Sequence, residues 1–185
     1  MLCLTKYEGR RGTEPEELMS DFLIYEQDGA VVTLTMNQPE ARNPLSGESQ
    51  YEAFLDATDR ISRDDSVKCE VPTIAAVNGA AVGAGCDLAC MCDIRIASEK
   101  ARFAESFAKL GIISGDGGAF LLPKLVGMSK AAEMTFTGDM IGAEEALSIG
   151  LVSRVVPHES LMDEAHILAG KIAAKGYRVL LHDRR

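Results

Sequence analysis

The stretch Asn78–Asp87, NGAAVGAGCD, gathers the residues best suited to meet a negative charge. Glycines at 79, 83 and 85 let the backbone turn sharply and approach a ligand with no side chain in between. A helix opening after such a turn offers unpaired amides and the positive end of its dipole. That combination suits a phosphate, a carboxylate or an oxyanion that forms only during reaction. A dinucleotide fingerprint does not fit, because Gly83-Ala84-Gly85 is followed by Cys86-Asp87-Leu88 and the third glycine is absent. A phosphate loop fails too, since no Gly-Lys-Ser/Thr follows the strand. The competing reading of the same glycines is a tight strand-to-helix connection with a purely geometric use.

Acids come next. Asp87 falls in the first turn of the expected helix, where it serves either proton chemistry or the helix dipole. Asp116, in Ser114-Gly115-Asp116-Gly117-Gly118, is either a proton carrier or a helix N-cap. The five cysteines, at 3, 69, 86, 90 and 92, are an odd number, which argues against a disulfide framework. Cys86, Cys90 and Cys92 lack a second group of ligands, so they read as small buried residues and no metal is expected. Arg42 lies in a polar loop, Glu40-Ala41-Arg42-Asn43. His158, His166 and His182 have no matching nucleophile and read as surface residues without a role.

The elements that must position these groups follow from pattern. Residues 1–20 are polar and read as a flexible leader. Phe22–Glu26 and Ala30–Met36 are strands around Gln27-Asp28-Gly29, a hairpin signal. Ser46 or Ser49 is expected to cap a helix whose apolar face holds Tyr51, Phe54, Leu55, Ala57 and Ile61. Val71–Val77 is a short apolar strand, and helix Cys86–Cys92 and strand Ile94–Ala97 follow the glycine turn. Repeated strand–turn–helix units imply a layered α/β domain with parallel pairing. Beyond Gly115 helices are expected over Asp116–Leu125, limited by Pro123, over Ala131–Phe136 capped by Ser129, and over Ala143–Ile149 stopped by Gly150. Leu151–Val156 returns as a strand, and Ser160 caps a last amphipathic helix. The domain plan is a leader (1–20), a core (21–157) and a C-terminal helical region (158–185).

Composition narrows the function classes. Of 185 residues 46% are hydrophobic and 25% charged, an ordinary globular balance for one domain of sizeable core. A formal net charge of -9 disfavours a nucleic-acid partner. No apolar run spans a bilayer, and the acidic start fits neither a secretory nor a mitochondrial signal, so no membrane partner and a cytoplasmic location are expected.

The block VPTIAAVNGAAVGAGCDLACMCDIRIASEKARFAESFAKLGIISGDGGAFLLPKLVG resembles the central signature of the crotonase superfamily, the enoyl-CoA hydratases and isomerases. MSKAAEMTFTGDMIGAEEALSIGLVSRVVP is similar to that family's next helices and strand, and VVTLTMNQPEARNPLS to its N-terminal strand and CoA-contacting turn. The resemblance implies an α/β, crotonase-like β-β-α spiral core with C-terminal helices, here shortened. It implies an acyl-CoA thioester substrate, a homo-trimer or dimer of trimers, and no cofactor, CoA being part of the substrate. The amide of Ala84 would be one of two oxyanion donors, with Gly83 and Gly85 shaping the turn. Arg42 would contact CoA. Asp87 aligns with the first of the hydratases' two glutamates, and Asp116 falls where related enzymes place an aspartate. The second glutamate aligns with Phe107, which stays at the substrate position but cannot transfer a proton. Glu105, two residues earlier, would share Phe107's face in an extended segment.

Two departures stand out. The family's loop bearing the other oxyanion amide, with its strand and helix, has no counterpart, because Val67-Lys68-Cys69 runs straight into Glu70-Val71-Pro72. Either residues of a longer protein are omitted there or the chain is a truncated member; an intact mass equal to that of the 185 residues would exclude omission. The resemblance leaves hydration, isomerisation and thioester hydrolysis open. The alternative from another class is a non-catalytic acyl-CoA-binding or oligomer-scaffold homologue.

Overall fold

The computed structural model describes residues 13–18, 20–45, 47–62, 72–176 and 179–184. They divide into two compact units, Met1–Ala76 with Met162–Arg185, and Val77–Leu161.

In the first unit β2 (Leu23–Asp28) and β3 (Val31–Met36) form the antiparallel hairpin that Asp-Gly announces, with Asp28 opposite Val31. Gly29 takes φ 56°, the left-handed region where a glycine loses nothing to sterics. Within the stretch expected as a leader, Thr13–Leu18 forms β1 and pairs with β2; residues 1–12 and 19 lie outside the described residues. Helix α1 (Glu48–Ser62) buries Ala53, Ala57 and Ile61, and Phe54 meets Phe22 edge to face at 5.9 Å. Tyr51 and Leu55 are exposed, so the apolar face is narrower than its spacing suggests. Ser49 sits inside the first turn rather than capping it, and Ser46 is outside the described residues.

The chain's end returns to this unit. Helix α6 (Leu161–Ala173) starts directly after Ser160 and buries Ala165, Ala169 and Ala173 on an i, i+4 stripe. Strand β10 (Val179–Arg184), which sequence patterning did not announce in a C-terminal region read as helical, then runs parallel to both β3 and β4 (Thr73–Val77).

The second unit holds the glycine turn. Strands β5 (Ala80–Val82), β7 (Arg102–Ala104) and β8 (Ile141–Gly142) form a small sheet, with β5 and β7 parallel. Three residues of the glycine stretch are therefore strand, with Ala81 buried. Helix α2 (Ala84–Met91) follows, then β6 (Ile94–Ser98), which pairs in parallel with β9 (Arg154–Val156). Helix α3 (Gly118–Val126) runs three residues past Pro123, because one missing donor costs it a single bond inside a turn that continues. Helix α4 (Met128–Thr137) has Gly127 as its N-cap, which places Ser129 inside rather than before it. Helix α5 (Ala143–Ser148) ends before Gly150, whose φ is 78°. No helix among the described residues is long and apolar enough to cross a membrane.

Candidate active site at the start of α2

The turn into α2 is fixed from both sides. Val82 pairs with Ala104 across the small sheet, and the Gly83 amide donates to the Ala104 carbonyl at 2.9 Å. Gly83 then adopts φ 56°, ψ −123°, a conformation that side-chain-bearing residues rarely take, and becomes the helix N-cap. Its carbonyl accepts from the amides of Cys86 and Asp87, at 2.8 and 3.0 Å. The Ala84 and Gly85 amides occupy the first helical positions, where no earlier carbonyl is in register, and neither has a partner among the described residues. Two open donors thus lie at the positive end of a helix.

Phe107 lies beside these donors. A Cβ built on Gly83 would come within 3.5 Å of the Phe107 ring and of Ser106 Oγ, so the ring packs over the turn. Phe107 belongs to a 3-10 turn, Ser106–Leu110, not to an extended segment. The shared face expected for Glu105 and Phe107 is accordingly absent, because the chain bends at Glu105 (φ −95°, ψ 79°). Phe107 is half-buried, while Glu105 is 1% exposed.

Asp87 is completely buried in the first turn of α2. Its Oδ2 accepts from Ser114 Oγ at 2.6 Å, and its Oδ1 faces Gly118 so closely that an added Cβ there would lie 1.7 Å away. Gly118 opens α3, so Asp87 stands at the start of two helices. Burial pushes the Asp87 carboxyl above its usual range, against the bonds from Ser114 and Glu105. Asp116 adds a like charge nearby that pushes the same way. The N-cap of α3 is Gly117 with no side-chain cap bond, so Asp116 does not cap it.

Glu105 is the residue that sequence reasoning passed over as a site member. It follows β7 directly, and its two buried carboxyl oxygens lie beside Asp87 and Cys86 without a well-formed hydrogen bond among the described residues. Burial first, and then the charge of Asp87, push its carboxyl up to about 8, while the Cys86 thiol opposes them. Asp87 Oδ1 is unpartnered in the same way. The sequence signal was its spacing from Phe107, which does not point to Asp87.

Behind these groups the cysteines close the interior. Cys86, Cys90 and Cys92 are all free and buried, and a hydrogen bond to Cys90, with burial, pushes the Cys86 thiol well up. Among the described residues no three His, Cys, Asp or Glu side chains group as metal ligands do. Arg42 belongs to the first unit, in the left-handed region at φ 62°, where its amide ends the 3-10 turn Pro39–Ala41. Of the residues expected to act together, the structure therefore assembles Gly83, Ala84, Gly85, Asp87, Phe107 and Asp116 within one unit. His166 is exposed and His158 half-buried, with its Nδ1 3.3 Å from Ser98 Oγ.

Residues 55–181 match the enoyl-CoA hydratase/isomerase family. A crotonyl-CoA hydratase of Syntrophomonas wolfei is 50% identical over 107 residues, which cover 58% of this chain and 41% of that protein. A probable enoyl-CoA hydratase of Mycobacterium bovis is 33% identical over 192 positions, covering 82% and 75% of the two chains. That alignment is longer than this chain's 185 residues, so the relative carries residues without a counterpart here. The crystal structure of an enoyl-CoA hydratase from Mycobacterium avium superimposes with a TM-score of 0.76 at 36% identity, over 82% of this chain and 80% of that one. Against the first curated relatives the chain spans only 40% to 57% of their length. The fold is that of the crotonases, and the chain belongs to the enoyl-CoA hydratase/isomerase family.

Proposed function

We propose that this chain is an acyl-CoA enzyme of the enoyl-CoA hydratase/isomerase type, holding a thioester oxygen at the start of α2 and moving a proton with Asp87. The observation that carries the reading is the Gly83 turn, which leaves the Ala84 amide open beside a buried acid on the same helix. As the thioester becomes enolate-like, its oxygen gains negative charge, which the Ala84 amide and the helix dipole stabilise. The second amide implied by the family resemblance belongs to the loop that has no counterpart here, where Cys69 runs into Glu70. Asp87, with its affinity for protons raised by burial, is suited to take a proton and return it. Phe107 packed on the turn offers an apolar wall to the acyl chain, and Arg42 a cation to CoA. No separate cofactor enters, because the thioester is the electron sink.

The relatives reported are named as hydratases, which favours a catalytic chain over a scaffold. Assembly as a trimer or dimer of trimers and a cytoplasmic location belong to the same proposal. Exposed Leu110, Ile112, Ile113 and Phe136 supply apolar surface for self-association, which light scattering would measure. The reaction is tested by assaying crotonyl-CoA hydration and 3-enoyl-CoA isomerisation in the wild type and in Asp87→Asn. The variant is expected to lose about a hundredfold or more in kcat with a small change in KM. A wild type that binds CoA thioesters but turns over neither compound would overturn the reading.

A further inference from the structure

Glu105 raises a question the proposed mechanism does not answer. A carboxyl group that is 1% exposed, with both oxygens unpartnered, is costly in any fold unless something satisfies it. The pairing of Val82 with Ala104 sets Glu105 next to the Gly83 turn, and Asp87 enters the same interior from the first turn of α2. Asp87 Oδ1 is also unpartnered. Two ionised carboxylates are acceptors only, so neither can satisfy the other. One proton between them satisfies both.

We infer that Glu105 and Asp87 share a single proton at neutral pH, with Glu105 the positioning residue that donates to Asp87 and keeps it ready to react. This deepens the proposed function and rests on it. Glu105 holds its proton throughout while Asp87 takes one from the substrate and gives it back, so the pair passes from one proton to two and returns. Nothing else is consumed. The mutual effects agree with this direction, since hydrogen bonding between the two groups lowers Asp87 and raises Glu105.

The other groups facing the pair are few. From α2 come Cys86, with Cys90 behind it, and from the segment before α3 come Ser114 and Asp116. Lys109, on the 3-10 turn after Glu105, is 3.6 Å from Asp139. Among the described residues the groups that act on the two carboxyls are Ser114, Asp116, Cys86 and the Gly118 amide, none of them a cation, so a proton is the means of relieving their repulsion.

The test is the pH profile of kcat for the wild type, Glu105→Gln and Glu105→Leu, with carbon NMR of the side-chain carboxyls. Wild-type kcat is expected to fall as pH rises through about 8, where Glu105 loses its proton. Glu105→Gln supplies a permanent donor, so it should keep kcat at pH 7 within roughly tenfold and lose that alkaline limb. Glu105→Leu fits the space without a donor and should lose about a hundredfold. An alkaline limb unchanged in Glu105→Gln, or equal kcat in the Gln and Leu variants, overturns the inference. Should the wild type turn over no enoyl-CoA, the proposed function fails first and the NMR titration still decides. A carboxyl titrating above 7 in the wild type, absent in Glu105→Gln and shifted down in Asp87→Asn, supports the pair; its absence overturns it.

Discussion

The two ends of α2 are built on opposite principles. At its C-terminal end one cation reaches the carbonyls of Ala89 and of the C-cap Cys92. Arg95, only 7% exposed, donates from Nε to the Leu151 carbonyl at 2.6 Å and from Nη1 to the carbonyls of Cys92 and Ala89. A positive charge against a helix C-terminus also complements the dipole. At the N-terminal end, among the described residues, the Ala84 and Gly85 amides stay open, and three carboxyl oxygens of Asp87 and Glu105 have no well-formed hydrogen bond. One end spends its polar groups on folding, and the other withholds them. Unsatisfied groups at the second end are what a substrate oxygen and a proton would meet, whereas the first end anchors the helix that holds them in place.

The largest effect should come from Gly118→Ala. Its new Cβ would fall 1.7 Å from Asp87 Oδ1, so either Asp87 or the start of α3 must move. Hydratase or isomerase activity should drop by about a hundredfold or more, the loss of a placed acid. Shortening the partner in Asp87→Ala/Gly118→Ala should recover melting temperature but not activity, a coupling that a double-mutant cycle measures.

Arg95→Met breaks the comparison from the other side. It leaves the Leu151 and Cys92 carbonyls without the Arg95 donor and the Ala89 carbonyl with the Cys92 amide, at a cost of about 3 kcal/mol in chemical denaturation. Activity per folded molecule should change little, because the open end is untouched.

Glu105→Gln should reshape the stability curve. A carboxyl raised from 4.5 to about 8 binds its proton more tightly when folded. The wild type therefore loses this contribution as pH climbs from about 4.5 to about 8, and the loss levels off above that. The Gln variant lacks the decline. Urea denaturation at pH 6 and 9 should show the variant gaining on the wild type at the higher pH.

Smallest is Ser114→Ala. Its bond to Asp87 Oδ2 favours the ionised form, so removing it should raise the Asp87 carboxyl further. The acid limb of the rate profile should move up by roughly one pH unit. An unmoved limb would assign it to another group.

Much of this arrangement was legible in the residues. Asp28-Gly29 announced its hairpin, and Gly83 and Gly85 announced the turn, because glycine at such positions has a local cause. Asp87 was legible as an acid in the first turn of a helix. The three-residue strands β5 and β7 were not, since so few residues cannot show an alternation. With that pairing hidden, Glu105 could be read only relative to Phe107, its neighbour in sequence. Its true neighbour, Asp87, lies 18 positions earlier and is brought close by tertiary packing. The same limit applied to Pro123 and Ser129, whose local preferences were overridden by glycines at 117 and 127 that set where helices begin.

The contact between Asp87 and Gly118 also constrains the order in which the sequence can change. Any side chain at 118 would meet the acid at 87, so enlarging position 118 requires Asp87 or the start of α3 to move. Shortening position 87 would make the room, but by the reading above it discards the reactive carboxyl. The order of change therefore matters: with glycine at 118 an acid at 87 can be lost and regained in place, whereas a larger residue at 118 takes the room that acid needs.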